Sequence, residues 1–122
     1  MNVYHLSALV GLLMVAGGCN RNGDAPVEVP IDQASTGVKT TFATAPEDVR
    51  KAAEAAAQSM QSGEYVESYS KIEQLSVQTD LTPEQRQALG ESQAAVLKKL
   101  NEAAVAGNEA AAKALEAHRS RK

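Results

Sequence analysis

The chain has 122 residues, with 12 Lys or Arg against 15 Asp or Glu, one Cys, one Phe, no Trp and two His. That length leaves room for one ordinary domain, and the net charge of −3 offers no field that would draw nucleic acid. A single Cys excludes a disulfide framework or a Cys-built metal site within one chain, and the 43% apolar fraction overstates the core, because 22 of those residues are Ala.

Residues 6–15 (LSALVGLLMV) are an uncharged apolar run, and thirteen residues separate His5 from Cys19. A bilayer-spanning helix needs about 20, so this run suits the hydrophobic region of a secretory signal better than a membrane span. Small residues follow it: Ala16, Gly17 and Gly18. A signal peptidase binds this stretch extended, and bulky side chains there would block its cleft. The string Val15-Ala16-Gly17-Gly18-Cys19-Asn20 resembles a bacterial lipobox, the lipoprotein signal in which a Leu-like residue and two small residues precede Cys. The resemblance covers about the first 20 residues. It implies cleavage between Gly18 and Cys19, a diacylglyceryl thioether on Cys19 and an acyl chain such as palmitate on the new amino group. Two or three chains anchor stably, at about 0.8 kcal/mol per buried methylene. It also implies a cell-envelope location, and Asn20 after the Cys favours the outer membrane, facing the periplasm. Two alternatives stay open: a plain secretory signal cut at the same bond, giving a secreted protein without lipid, and an apolar first helix of a cytosolic protein.

Residues 20–43 (NRNGDAPVEVPIDQASTGVKTTFA) carry Pro26, Pro30, Gly23 and Gly37 among small polar residues. They read as a flexible, disordered tether with an r.m.s. span of about 25–30 Å. From Thr44 the pattern changes. Thr44-Ala45-Pro46-Glu47 has the form of a capping box. Val49, Ala52, Ala53, Ala56 and Met60 follow on one helical face. Gly63 ends this first helix. A second starts near Glu64, with Tyr65, Ser68, Tyr69, Ile72 and Leu75 on one side, and breaks at Thr79 and Asp80. Thr82-Pro83-Glu84-Gln85 is another capping box. It opens a third helix to about Val105, with Leu89, Ser92, Val96, Leu97, Leu100 and Ala104 inward. Gly107-Asn108 turns into a fourth helix, with Ala111, Ala114 and Leu115 inward.

The expected fold is therefore all-α: a cleaved signal (1–18), a lipidated Cys with its linker (19–43), and a small bundle (44–122). The bundle is about four antiparallel helices in two helical hairpins, with a basic C-terminal tail. Its core is thin. Between residues 46 and 122 there are fifteen apolar side chains larger than Ala, so the domain is either modestly stable or pairs its Ala faces with another chain.

Relative to Gly63, the positions of Tyr65, Ser68, Ile72 and Leu75, with Ala56 in the preceding helix, resemble the hairpin of a tetratricopeptide repeat. The resemblance spans residues 46–78 and implies a helical-repeat-like module. No nucleophile–base pair, phosphate loop or metal-ligand spacing stands out. His118 sits in the basic tail, where a cation suits a helix end. Glu64, Glu67 and Glu73 read as a solvated face, with Glu67 paired to Lys71. The expectation is a protein that is not an enzyme and needs no metal or cofactor beyond the lipid on Cys19. It would be a non-catalytic adaptor presenting a helical face, with Tyr65 and Tyr69 as the candidate partner residues, to an envelope protein or to a copy of itself. The ending Arg121-Lys122 resembles that of the major murein lipoproteins of enteric bacteria, whose terminal Lys is joined to peptidoglycan. This implies the alternative of a membrane-to-wall tether through Cys19 and Lys122.

Overall fold

The computed structural model describes residues 28–122. Among them are five helices: α1 (Ile31–Thr41), α2 (Glu47–Gln61), α3 (Tyr65–Ser76), α4 (Pro83–Val105) and α5 (Glu109–Ser120). The class is all-α, as expected. The expected signal, the Gly18–Cys19 bond and the Cys19 lipid site lie outside the described residues.

α1 packs on α2, α2 on α3, α3 on α4, and α4 back on α1, which closes a ring of four. Side-chain bonds give the directions. Near the start of α4, Gln85 Nε2 donates to the Thr41 carbonyl at the end of α1 (3.2 Å). About two turns on, Ser92 Oγ donates to the Ala34 carbonyl (3.3 Å). Lys98 then pairs with Glu28. α4 thus retraces α1 backwards, and the ring is an up-down-up-down bundle. α5 lies outside it, against α4 and the side of α3.

The linker expected over 19–43 needs correcting, because α1 occupies its second half. Thr, Ser and Gly37 are poor helix formers, and they concealed the pattern. Ile31, Ala34, Val38 and Phe42 nevertheless recur at helical spacing. Ala34, Val38 and Phe42 are buried, Val38 and Phe42 completely. Tertiary burial overrides propensity here. The only Phe of the chain is thus a core residue contributed by the supposed tether. With α1 added, the two hairpins become four ring helices plus one.

The two capping boxes have different fates. At α4 the box forms in full: Gln85 N–H donates to Thr82 Oγ1 (3.1 Å), and Thr82 N–H donates to Gln85 Oε1 (3.0 Å). At α2 it does not form. Pro46 is itself the N-cap, and no side chain caps the helix. Burial of Phe42 ties the preceding turn down through Ala45 N–H to the Phe42 carbonyl (3.1 Å). This places the first helical turn at Glu47, beyond reach of the Thr44 box. Gly63 adopts φ +80° and Gly107 φ +98°, which only Gly does without strain at these sharp helix ends.

Four serines, Ser35, Ser59, Ser68 and Ser92, are buried, and each hydroxyl is satisfied. Ser35 Oγ donates to the Asp32 carbonyl (2.9 Å) and Ser68 Oγ to the Glu64 carbonyl (2.8 Å). Ser92 bonds across to α1, and Ser59 accepts from Lys71 Nζ (3.0 Å). Among the described residues no buried side-chain polar atom lacks a partner. That is what a core built on Ala and Ser requires, since an unsatisfied buried donor costs about 1–3 kcal/mol.

Candidate functional site

The densest set of polar contacts between distant parts of the chain lies where α5 meets α3. The 3.6-residue period puts Tyr69 and Glu73 one turn apart on α3, and His118 and Arg121 three apart at the end of α5. Tyr69 Oη donates to Glu73 Oε1 (2.6 Å). The same oxygen lies 2.6 Å from His118 Nδ1. Arg121 reaches the other Glu73 oxygen. The two rings meet edge to face, with centroids 5.6 Å apart and planes at 89°.

Proton counting orients this network. Tyr69 has one hydroxyl proton, and an ionised Glu73 only accepts. The proton therefore goes to Glu73, and His118 Nδ1–H must donate to Tyr69 Oη. Burial pushes the Glu73 carboxyl up, but its bonds from Tyr69 and Arg121 and the charges of Arg121 and His118 outweigh this, and the net shift is downward. Burial, then the bond to Glu73 and its charge, push the Tyr69 hydroxyl up. Tyr69 stays protonated and Glu73 ionised at neutral pH. Tyr69 and Glu73 spend their side-chain oxygens within this set, so the arrangement fastens two helices together.

This changes the reading of the two tyrosines as a shared partner face. Tyr69 is only 5% exposed, so its ring belongs to the core and does not meet a partner in this conformation. Tyr65 is half-buried, because it sits one turn earlier, where α5 has only begun. It lines a groove of about 660 Å³ with Val66, Leu100, Ala103, Ala110 and Ala111, rimmed by Glu64 and Glu67. Glu73 is likewise no member of a solvated face. The Glu67–Lys71 pair does form, and Lys71 also bridges to Ser59 on α2. His118 was the residue that sequence reasoning placed least well. It lies 49 positions from Tyr69, and no local pattern announces such a pairing.

A second groove, of about 630 Å³, lies between residues 28–29 and the outer side of α4 at Ala94, Ala95, Leu97 and Asn101. It exists because α1 spans about 16 Å and α4 about 34 Å, so α4 outruns its neighbour. Lys98 and Glu28 pair across it. Lys122 is exposed just beyond the C-cap of α5, Arg121. Among the described residues no group of three or more His, Cys, Asp or Glu is placed to hold a metal ion, and no helix is long and apolar enough to cross a membrane.

A scan against protein-family models finds no match, and searches of curated proteins and of solved structures find none either.

Proposed function

We propose that this chain is a small lipid-anchored protein of the bacterial cell envelope whose helical domain acts by contact, as an adaptor, and not by catalysis. The observation that carries the reading is the placement of the only Cys. Cys19 stands directly after Ala16-Gly17-Gly18, at the end of the apolar run, and nine residues before Glu28. The lipobox resemblance makes it the site of a diacylglyceryl thioether, on the outer membrane facing the periplasm. The eight residues between Cys19 and Glu28 reach at most about 29 Å, against about 86 Å for the twenty-four residues 20–43. The bundle therefore rides close to the headgroups, nearer than a linker to residue 43 would hold it. Support for contact over catalysis comes from the Tyr69–Glu73–His118–Arg121 network, in which the Tyr69 hydroxyl and both Glu73 oxygens are committed to structural bonds. The partner class is an envelope protein, with a second copy of the chain as the alternative.

Detergent phase separation in a bacterial host tests the anchor. The wild-type chain is expected in the detergent phase and Cys19→Ser in the aqueous phase. A wild-type chain in the aqueous phase removes the lipid from the account and leaves a secreted helical protein. The adaptor half is tested by pull-down from cross-linked envelopes, and it fails if no envelope protein is enriched over a control lipoprotein. The exposed position of Lys122 favours one second reading, a membrane-to-wall tether. That reading requires a muropeptide on Lys122.

A further inference from the structure

α5 has the fewest buried residues of the five helices. Of its twelve residues only Ala111 and Leu115 are buried. The ring α1–α4 closes without it, so its departure breaks no pairing among the other four. Its C-terminal half is fastened by polar groups that water can replace: His118 on Tyr69 and Arg121 on Glu73. Its N-terminal joint is residues 106–108, with Gly107 in a left-handed conformation. Beneath it runs an apolar strip from Leu100, Ala103 and Tyr65 to Tyr69, and the groove of about 660 Å³ shows this strip already open at one end.

We propose that α5 is a detachable cover, and that the α3–α4 face beneath it is the docking surface for a partner helix of α5's own kind. Such a helix carries small and Leu side chains at the spacing of Ala111, Ala114 and Leu115, followed by a cation that meets Glu73. The occupant is specified by what covers the face now, because α5 shows which side chains fit the strip and which charge answers Glu73. Tyr65 and Tyr69 then form one partner face after all, in the open state. The inference rests on the adaptor reading and deepens it: a bundle that closes on its own helix keeps its sticky face from casual contact and yields it to a partner that binds the strip better. Tethering gives α5 an effective concentration in the millimolar range. A modestly docked α5 therefore corresponds to a free helix binding at tens of micromolar.

Two measurements on the full chain test this. The first is hydrogen exchange at neutral pH. Amides in the middle of α5 are expected to exchange at least about 100-fold faster than those on the buried face of α4. One common rate for both helices means that α5 leaves only when the domain unfolds, which overturns the cover. The second is fluorescence anisotropy with a labelled peptide of residues 108–122. It is expected to bind Leu115→Asp, in which α5 is released, at least tenfold more tightly than the wild type, and more weakly once Glu73→Gln is added. Equal binding by variant and wild type, or none to the variant, overturns the docking surface. Circular dichroism checks that α1–α4 stay folded. If Leu115→Asp unfolds them, the double variant His118→Ala/Arg121→Ala releases the polar half and gives the same readouts. Failure of the adaptor reading is distinguishable: α5 opens and the peptide binds, yet the envelope pull-down stays empty.

Discussion

Phe42 shows how much a single side chain decides in a core poor in large residues. It is completely buried in a core whose remaining members include many Ala and Ser, so little is available to fill its space. Phe42→Ala is expected to cost about 3–5 kcal/mol, a large share of the 5–15 kcal/mol that domains typically have. Urea unfolding measures it, and a loss below about 1 kcal/mol would mean that α1 contributes little to the core. Gln85 is a smaller case with two duties: its side chain completes the α4 capping box and donates to the last turn of α1. Gln85→Ala is expected to cost about 1–2 kcal/mol, more than an ordinary exposed capping-box residue, with α1 amides losing protection along with α4. Both residues had sequence signals of unequal strength. The Thr82–Gln85 box could be read directly, because capping is local chemistry. Phe42 was obscured, because the helix that carries it is assembled from residues that prefer other conformations.

At the scale of elements, the hairpins were legible and the ring was not. Gly63 and Gly107 mark turns by a property of their own backbone, and the apolar stripes of α2, α3 and α4 follow from period alone. The closure of α4 onto α1 depends on bonds such as Ser92 to Ala34, 58 positions apart, which no window along the chain contains. The same holds for Tyr69 and His118, and it is why a tyrosine pair offered as a candidate partner face is divided between groove and core. The α3–α5 contact has a pH signature whose sign follows from Glu73. Facing this carboxylate are Tyr69 on its own helix and His118 and Arg121 on α5. Its folded pKa lies below the ordinary 4.5, so its contribution is fully present above that value and is lost as pH falls through the folded pKa. Protection of α5 amides is expected to be flat from pH 7 to about 5, after correction for intrinsic exchange, and to decline below 4.5. Glu73→Gln should remove that decline. An unchanged acid response in the variant would assign the pH dependence to other groups.

For the molecule as a whole, the ring satisfies its buried polar groups and sets an Ala-rich interior close together, which offsets the shortage of large side chains. A self-contained bundle is expected. The melting temperature of the Cys19→Ser chain should therefore not change between low and high micromolar concentration. A rise with concentration would mean that the Ala faces pair with a second copy. Anchoring is the other whole-molecule property. With the proposed lipid on Cys19, the short connection to Glu28 would bring the bundle near the membrane surface, where the proposed envelope partner would meet it.

The central claim, a lipid-anchored module that works by contact, is tested most directly by the intact mass of the protein released from lysozyme-digested envelopes, with both terminal peptides sequenced. The account predicts a chain beginning at Cys19, carrying a diacylglyceryl group and an amide-linked acyl chain, with Lys122 unmodified. An unmodified Cys19, or a chain still beginning at Met1, would contradict the anchor. A muropeptide on Lys122 would make the bundle a spacer between membrane and wall.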